Sequence, residues 1–141
     1  MRSRWLAVVV SAFALLSVAI STFAHHSEAA EFNKDKAVTL TGTISKVDWM
    51  NPHVFVYVDV KDESGKITTW ALESSPVLML HRSGLTKTKL LGNPNDAVTV
   101  VAFPAKDGTR ALGSLRKISY PDGHFYSFGG AETANVSEKQ Q

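Results

Sequence analysis

Between residues 37 and 47 the chain reads AVTLTGTISKV, with Val38, Leu40, Gly42 and Ile44 on one side of a two-residue period and Thr39, Thr41, Thr43 and Ser45 on the other. Alternate side chains of a strand point to opposite faces, so this stretch predicts a strand with one buried face. Gly42, within the apolar row, predicts a bulge or a sharp bend. Asn51-Pro52 interrupts the pattern. HVFVYVDV (53–60) then resumes it, with Val54, Val56, Val58 and Val60 inward and His53, Phe55, Tyr57 and Asp59 outward. DESG turns the chain, and KITTWALE (66–73) supplies a third strand.

The period then lengthens. Ser75 is placed to cap a helix with Pro76 at its first position, and Gly84 suits its stop. The VLMLHRS between them predicts about two turns of apolar helix, a plug for one end of a barrel. Residues 87–95 read as a connection rich in turn formers. AVTVVAF (97–103) predicts a fourth strand, AKDGT a hairpin loop and GSLRKISY (113–120) a fifth strand, followed by a turn and a short aromatic run over 125–128. Residues 129–141 are polar and without periodicity, which predicts a disordered tail. Three strands, a helix and two strands is the order of a five-stranded OB-like Greek-key barrel, all-β with a small α content. A β-sandwich normally needs about seven strands.

The start of the chain has a different pattern. Arg2 and Arg4 precede an unbroken apolar or small stretch, Trp5 to Ile20, and Thr22-Phe23-Ala24 offers small residues where a signal peptidase reads. Cleavage after Ala24 is expected; cleavage after Ala29, the alternative, removes both His25 and His26. Trp5 to Ile20 is shorter than the about 20 apolar residues of a spanning helix, so no stable membrane insertion is expected after cleavage. The expected organisation is a signal peptide (1–24), an N-terminal arm (25–36), a barrel (37–128) and a tail (129–141), in a periplasmic or secreted protein.

Removal of that peptide leaves 117 of the 141 residues, enough for one core. It also takes two of the 15 basic residues, leaving 13 against 13 acidic ones. A neutral chain gives no case for nucleic acid, which is bound by a basic surface that displaces counterions. The absence of cysteine excludes a lipoprotein anchor, covalent haem attachment, thiolate metal sites and disulfides.

Four motifs occur together: AHHS (24–27), DWMNPHVFVYVDV (48–60) with its Trp-x-Asn-Pro-His core, Trp70-x-Leu72-Glu73, and PAKDG (104–108). The combination resembles a family of small exported bacterial proteins classed as a domain of unknown function, from His25 to about Phe125. The resemblance implies an exported β-barrel and no established activity. Asn95-Asp96 stands where that family usually has Gly-Asp, a departure confined to one turn.

A chain that starts at His25 joins a free α-amine to the Nδ1 of the same residue, with a second imidazole at His26. His53, held by Asn51-Pro52 at a strand entrance, is the natural third ligand. A nitrogen-rich set of this kind suits Cu(II). It is similar in part to the histidine brace of copper monooxygenases, but two adjacent histidines fit metal delivery or storage better than oxygen activation. The structural alternative makes His25 and His26 a polar spacer, and His53 part of a corner in which Trp49 packs over Pro52 and Asn51 forms the turn.

A second class of function uses Phe55, Tyr57 and Trp70 as an outward aromatic platform, with Lys66 nearby, for a small molecule or a periplasmic protein partner. His81 and His124 are weaker candidates. Catalysis is not expected. Ser74, Ser75 and Ser114 lack a nucleophile elbow, Asp48, Asp59 and Glu73 read as solvated charges, and no glycine-rich phosphate cradle is present. The expected protein is a non-enzymatic binding module with copper as its candidate cofactor.

Overall fold

In a computed structural model, residues 28–108, 110–129 and 136–137 are described. The signal-peptide reading of 1–24, the candidate ligands His25 and His26, and most of the 129–141 tail lie outside them. The elements in chain order are α1 (Glu28–Glu31), β1 (Val38–Asp48), β2 (Phe55–Lys61), β3 (Ile67–Glu73), α2 (Val77–Arg82), α3 (Lys87–Leu91), β4 (Ala97–Pro104), β5 (Leu112–Ser119), β6 (Phe125–Ser127) and β7 (Val136–Ser137). Among the described residues, no helix is long and apolar enough to cross a membrane.

The sheet runs β3-β2-β1-β4-β5-β6-β7, and an additional parallel pairing of β3 with β5 closes the first five strands into a barrel. The two-residue period explains its interior. Val54, Val56, Val58, Leu72, Val100, Ala102 and Ile118 are completely buried, while the residues between them face outward or lie at the rim. Leu80 of α2, Leu85 in the link between the helices and Leu90 of α3 join the same core.

Several expectations are corrected. Gly42 is not the bulge: the register of β1 against β2 shifts between Ile44 and Lys46. A Cβ at Gly42 would lie 2.3 Å from the carbonyl oxygen of Asp59, so this glycine permits close approach of β2 instead. Ser75 does not cap α2, whose N-cap is Pro76 with no side-chain bond. The connection at 87–95 contains α3, started by Thr86, whose Oγ1 accepts from the Lys89 N–H, and ended at Gly92 with φ 67°. In the tail, Val136–Ser137 pair with β6.

The arm is also built into the fold. Phe32 bridges Ala105 and is buried. The Asn33 N–H donates to the Pro104 carbonyl, and the Lys106 N–H donates to the Glu31 carbonyl. These bonds tie α1 and its exit to the β4–β5 hairpin.

Candidate functional site

The β3–β5 seam is short. It holds three register pairs, Ala71↔Leu112, Leu72↔Gly113 and Glu73↔Ser114, and ends there. Beyond it a cleft of about 400 Å³ opens, lined by Ser74 and Ser75 on one side, Leu115 and Arg116 on the other, and by α1, Phe32, His53 and Phe128.

The strand period delivers Glu73 to this place. It stands opposite Phe55 in the β2–β3 register, two positions past His53, and His53 Nδ1 is 2.5 Å from Glu73 Oε1. With Nδ1 on the carboxylate, Nε2 is the ring nitrogen left for another partner. Burial pushes the Glu73 pKa above its usual value; the His53 charge pulls the other way, and the carboxylates of Glu31 and Glu28 add to the rise.

Glu28 behaves oppositely. Burial alone would raise its pKa, but this is outweighed by the bonds from Ser114 and Lys34 and by the charges of Lys34 and Arg116, so the carboxyl is held low. Its Oε1 accepts from Ser114 Oγ at 2.7 Å and from Arg116 at 3.2 Å, and its Oε2 lies 3.1 Å from Lys34 Nζ. Ser74 has no such partner among the described residues: it is 7% exposed, and its Oγ makes no hydrogen bond to any of them.

The other sequence candidates are dispersed. Trp70 stands opposite Val58, so it belongs to the inner row and packs against the core, while Phe55 and Tyr57 lie on the outer row. The expected three-residue aromatic platform is therefore divided between two faces. Phe55 and Tyr57 remain neighbours, with ring centroids 6.5 Å apart and Lys46 over the Tyr57 ring. Trp49 packs on the core and meets His81 edge to face, while Asn51 and Pro52, joined by a cis peptide bond, are exposed. His124 stacks on Tyr120 and bonds to Asp122; it does not line the cleft with His53.

Glu73 corrects the reading of a solvated charge, since it is partly buried and paired. Its signal was its alternation with Leu72, on the same side as His53. The roles of Glu28, Ser114 and Arg116 had no local signal, because the contacts between them span 86 and 88 residues. Among the described residues, no three His, Cys, Asp or Glu side chains form a group able to hold a metal ion. His53 reaches such a set only with ligands from outside the described residues.

These features define a small closed β-barrel with a polar cleft at its seam, walled on one side by an N-terminal helix. The chain belongs to the Family of unknown function (DUF6152), whose sequence model matches residues 12–114. No curated protein and no solved structure was found to match it.

Proposed function

We propose that this protein is an exported, OB-like barrel that binds a transition metal, copper first, through His25, His26 and Nε2 of His53. One observation carries this reading: the His53 ring is held by Glu73 at the wall of a cleft that Glu28 and Glu31 of α1 also line. Metal-bound histidines commonly donate their second ring N–H to a carboxylate, which fixes the tautomer and raises ligand basicity. His26 and His25 precede Glu28 by two and three residues. At no more than about 3.6 Å of chain per residue, they stay within roughly 7 and 11 Å of its Cα. The three anchors on Glu28 favour processing after Ala24 over processing after Ala29, which would sever Glu28 from the protein. The β1-β2-β3-β5-β4 circuit with its parallel closing pair supports the OB-like assignment.

The test begins with the intact mass of the exported protein, expected to correspond to a chain starting at His25. A chain starting at Ala30 would remove two ligands and end the proposal. Cu(II) titration of that protein should give a dissociation constant below about 1 μM, weakened at least about tenfold by His53→Ala. Equal affinity in the variant would remove His53 from the site.

A further inference from the structure

α2 carries more apolar side chains than the barrel takes up. Leu80 is buried in the core and Val77 packs against it. At about 100° per residue, Leu78, Met79 and Arg82 share the other side of the turn. Leu78 is 58% exposed and Met79 48%, and Arg82 is exposed beside them. A helix that only closes a barrel end turns polar residues outward, so the packing of the core leaves Leu78 and Met79 unexplained.

Neighbouring segments continue this surface. The Trp49 and His81 rings meet edge to face at 5.4 Å, which brings Met50, 59% exposed, to the same end of the barrel. Lys89 Nζ donates to the Gly84 carbonyl at 3.1 Å, which holds α3 beside the stop of α2. The charge of this cap has one sign: residues 74–95 contain Arg82, Lys87 and Lys89 and no Asp or Glu. Among the described residues none of the three cations forms an ion pair. The acidic groups nearest to this run are engaged elsewhere: Glu73 with His53, Asp48 with Lys46 at 2.8 Å, and Asp96 with the Asn93 amide at 3.1 Å.

We propose that this cap docks on an anionic phospholipid surface, with Leu78, Met79 and Met50 entering among the headgroups and Arg82, Lys87 and Lys89 meeting the lipid phosphates. Elements that lie on membranes combine exposed apolar side chains with basic ones in this way, and each cation near an anionic leaflet strengthens binding about fivefold. Lys and Arg reach the headgroups with their tips while their stems lie along apolar neighbours. A protein partner would be met by aromatic anchors and a packed apolar centre. The outward side chains here are long Leu, Met, Lys and Arg chains, which lose much rotamer freedom against a rigid partner and little in fluid lipid. The contact is peripheral, since no described helix is long and apolar enough to cross a membrane. It uses none of the proposed metal ligands.

The test is co-sedimentation of the metal-free exported chain with vesicles of phosphatidylglycerol and phosphatidylcholine in equal parts, and with vesicles of phosphatidylcholine alone. Half of the protein should bind the anionic vesicles below about 1 mM lipid, and the neutral ones at least about tenfold more weakly. About 1 M NaCl, where the screening length is about 3 Å, should weaken the anionic binding at least about tenfold. The triple variant Arg82→Gln/Lys87→Gln/Lys89→Gln should lose at least about tenfold, and Leu78→Gln/Met79→Gln about tenfold, with circular dichroism spectra unchanged because glutamine keeps the helix. If the helix variants do not fold, Met50→Gln, outside both helices, takes their place with a loss of about threefold. Lys61→Gln/Lys66→Gln, on the hairpin at the other end of β2, should bind as the parent does. Equal binding to the two vesicles overturns the proposal, as does an affinity unchanged by the cap variants or lost equally in the hairpin variant. Soluble poly-glutamate bound as tightly as the anionic vesicles would assign the cap to an acidic protein and overturn it too.

Discussion

Replacing Phe32 with alanine tests whether α1 is part of the folded unit or a strap that releases by itself. Phe32 is 2% exposed and bridges Ala105, outside the main core cluster. A buried phenylalanine hides about 200 Å², which at about 25 cal/mol per Å² is roughly 5 kcal/mol. Compaction of the unfolded chain lowers that by about 10–40%, leaving about 3–4 kcal/mol. Measured Phe→Ala losses of about 3–5 kcal/mol agree. For a unit near 100 residues, this corresponds to a fall in Tm of about 12–20 °C. Urea unfolding followed by Trp49 and Trp70 fluorescence measures it, since both reporters belong to the barrel. A loss below about 1 kcal/mol would show that the barrel melts without regard to α1. The wall carrying Glu28 would then be detachable, and the argument that brings His25 and His26 near His53 would lose its anchor. Amide exchange gives a second reading, because the Asn33 and Lys106 N–H groups should open only with global unfolding.

Gly42→Ala should destabilise by about 1–3 kcal/mol or more in the same assay, because the new Cβ meets the backbone of Asp59; a loss under about 0.5 kcal/mol would mean that β1 and β2 do not approach so closely. Ser74→Ala should raise the stability of the protein by about 1 kcal/mol, since it removes a buried hydroxyl that pairs with none of the described residues; a loss of that size would refute the orphan assignment. The two glutamates predict opposite pH slopes. Glu28, with its pKa held low, adds stability above the ordinary value of 4.5 and loses it as pH falls through the folded value. Glu73, with its pKa raised, adds stability below 4.5 and loses it as pH rises through the folded value. Ser114→Ala should therefore flatten the acid side of the stability profile and Glu73→Gln the side above it, and wild-type slopes in both variants would refute the assignment.

The alternation of valines in β2 was legible from the sequence because each strand there has one buried and one outward face, so a period of two carries the whole message. It also carried Leu72 and, by implication, Glu73. Trp70 was misread because an amphipathic aromatic reads equally well on either side of a strand, and only its register with Val58 settles the face. α3 escaped because five residues are too short for a helical period to show; Thr86 and the left-handed Gly92 define it instead. The cleft was legible only in part. His53 stood out by its proline, whereas Ser114 and Arg116 enter through barrel closure, which depends on pairing residues about 40 positions apart in the chain.

The same closure explains why binding chemistry gathers at the seam. Three residue pairs join β3 to β5, whereas β1 pairs with β4 over six, so the barrel is least continuous where the cleft opens. Beyond the last pair the two strands part, β5 going on to pair with β6 and the Ser74–Ser75 backbone bonding to Val54, and a helix turn, two phenylalanines and polar side chains line the space between. Stability resides in the valines and leucines of the interior, so residues at the seam vary at low cost to the core. The orphan hydroxyl of Ser74 and the crowding of Glu73 by other carboxylates are costs borne at this place. A fold selected for packing alone would remove both with one alanine and one glutamine. Their presence beside an oriented histidine is the physical reason to seek the ligand in this cleft rather than on the divided aromatic face of β2 and β3.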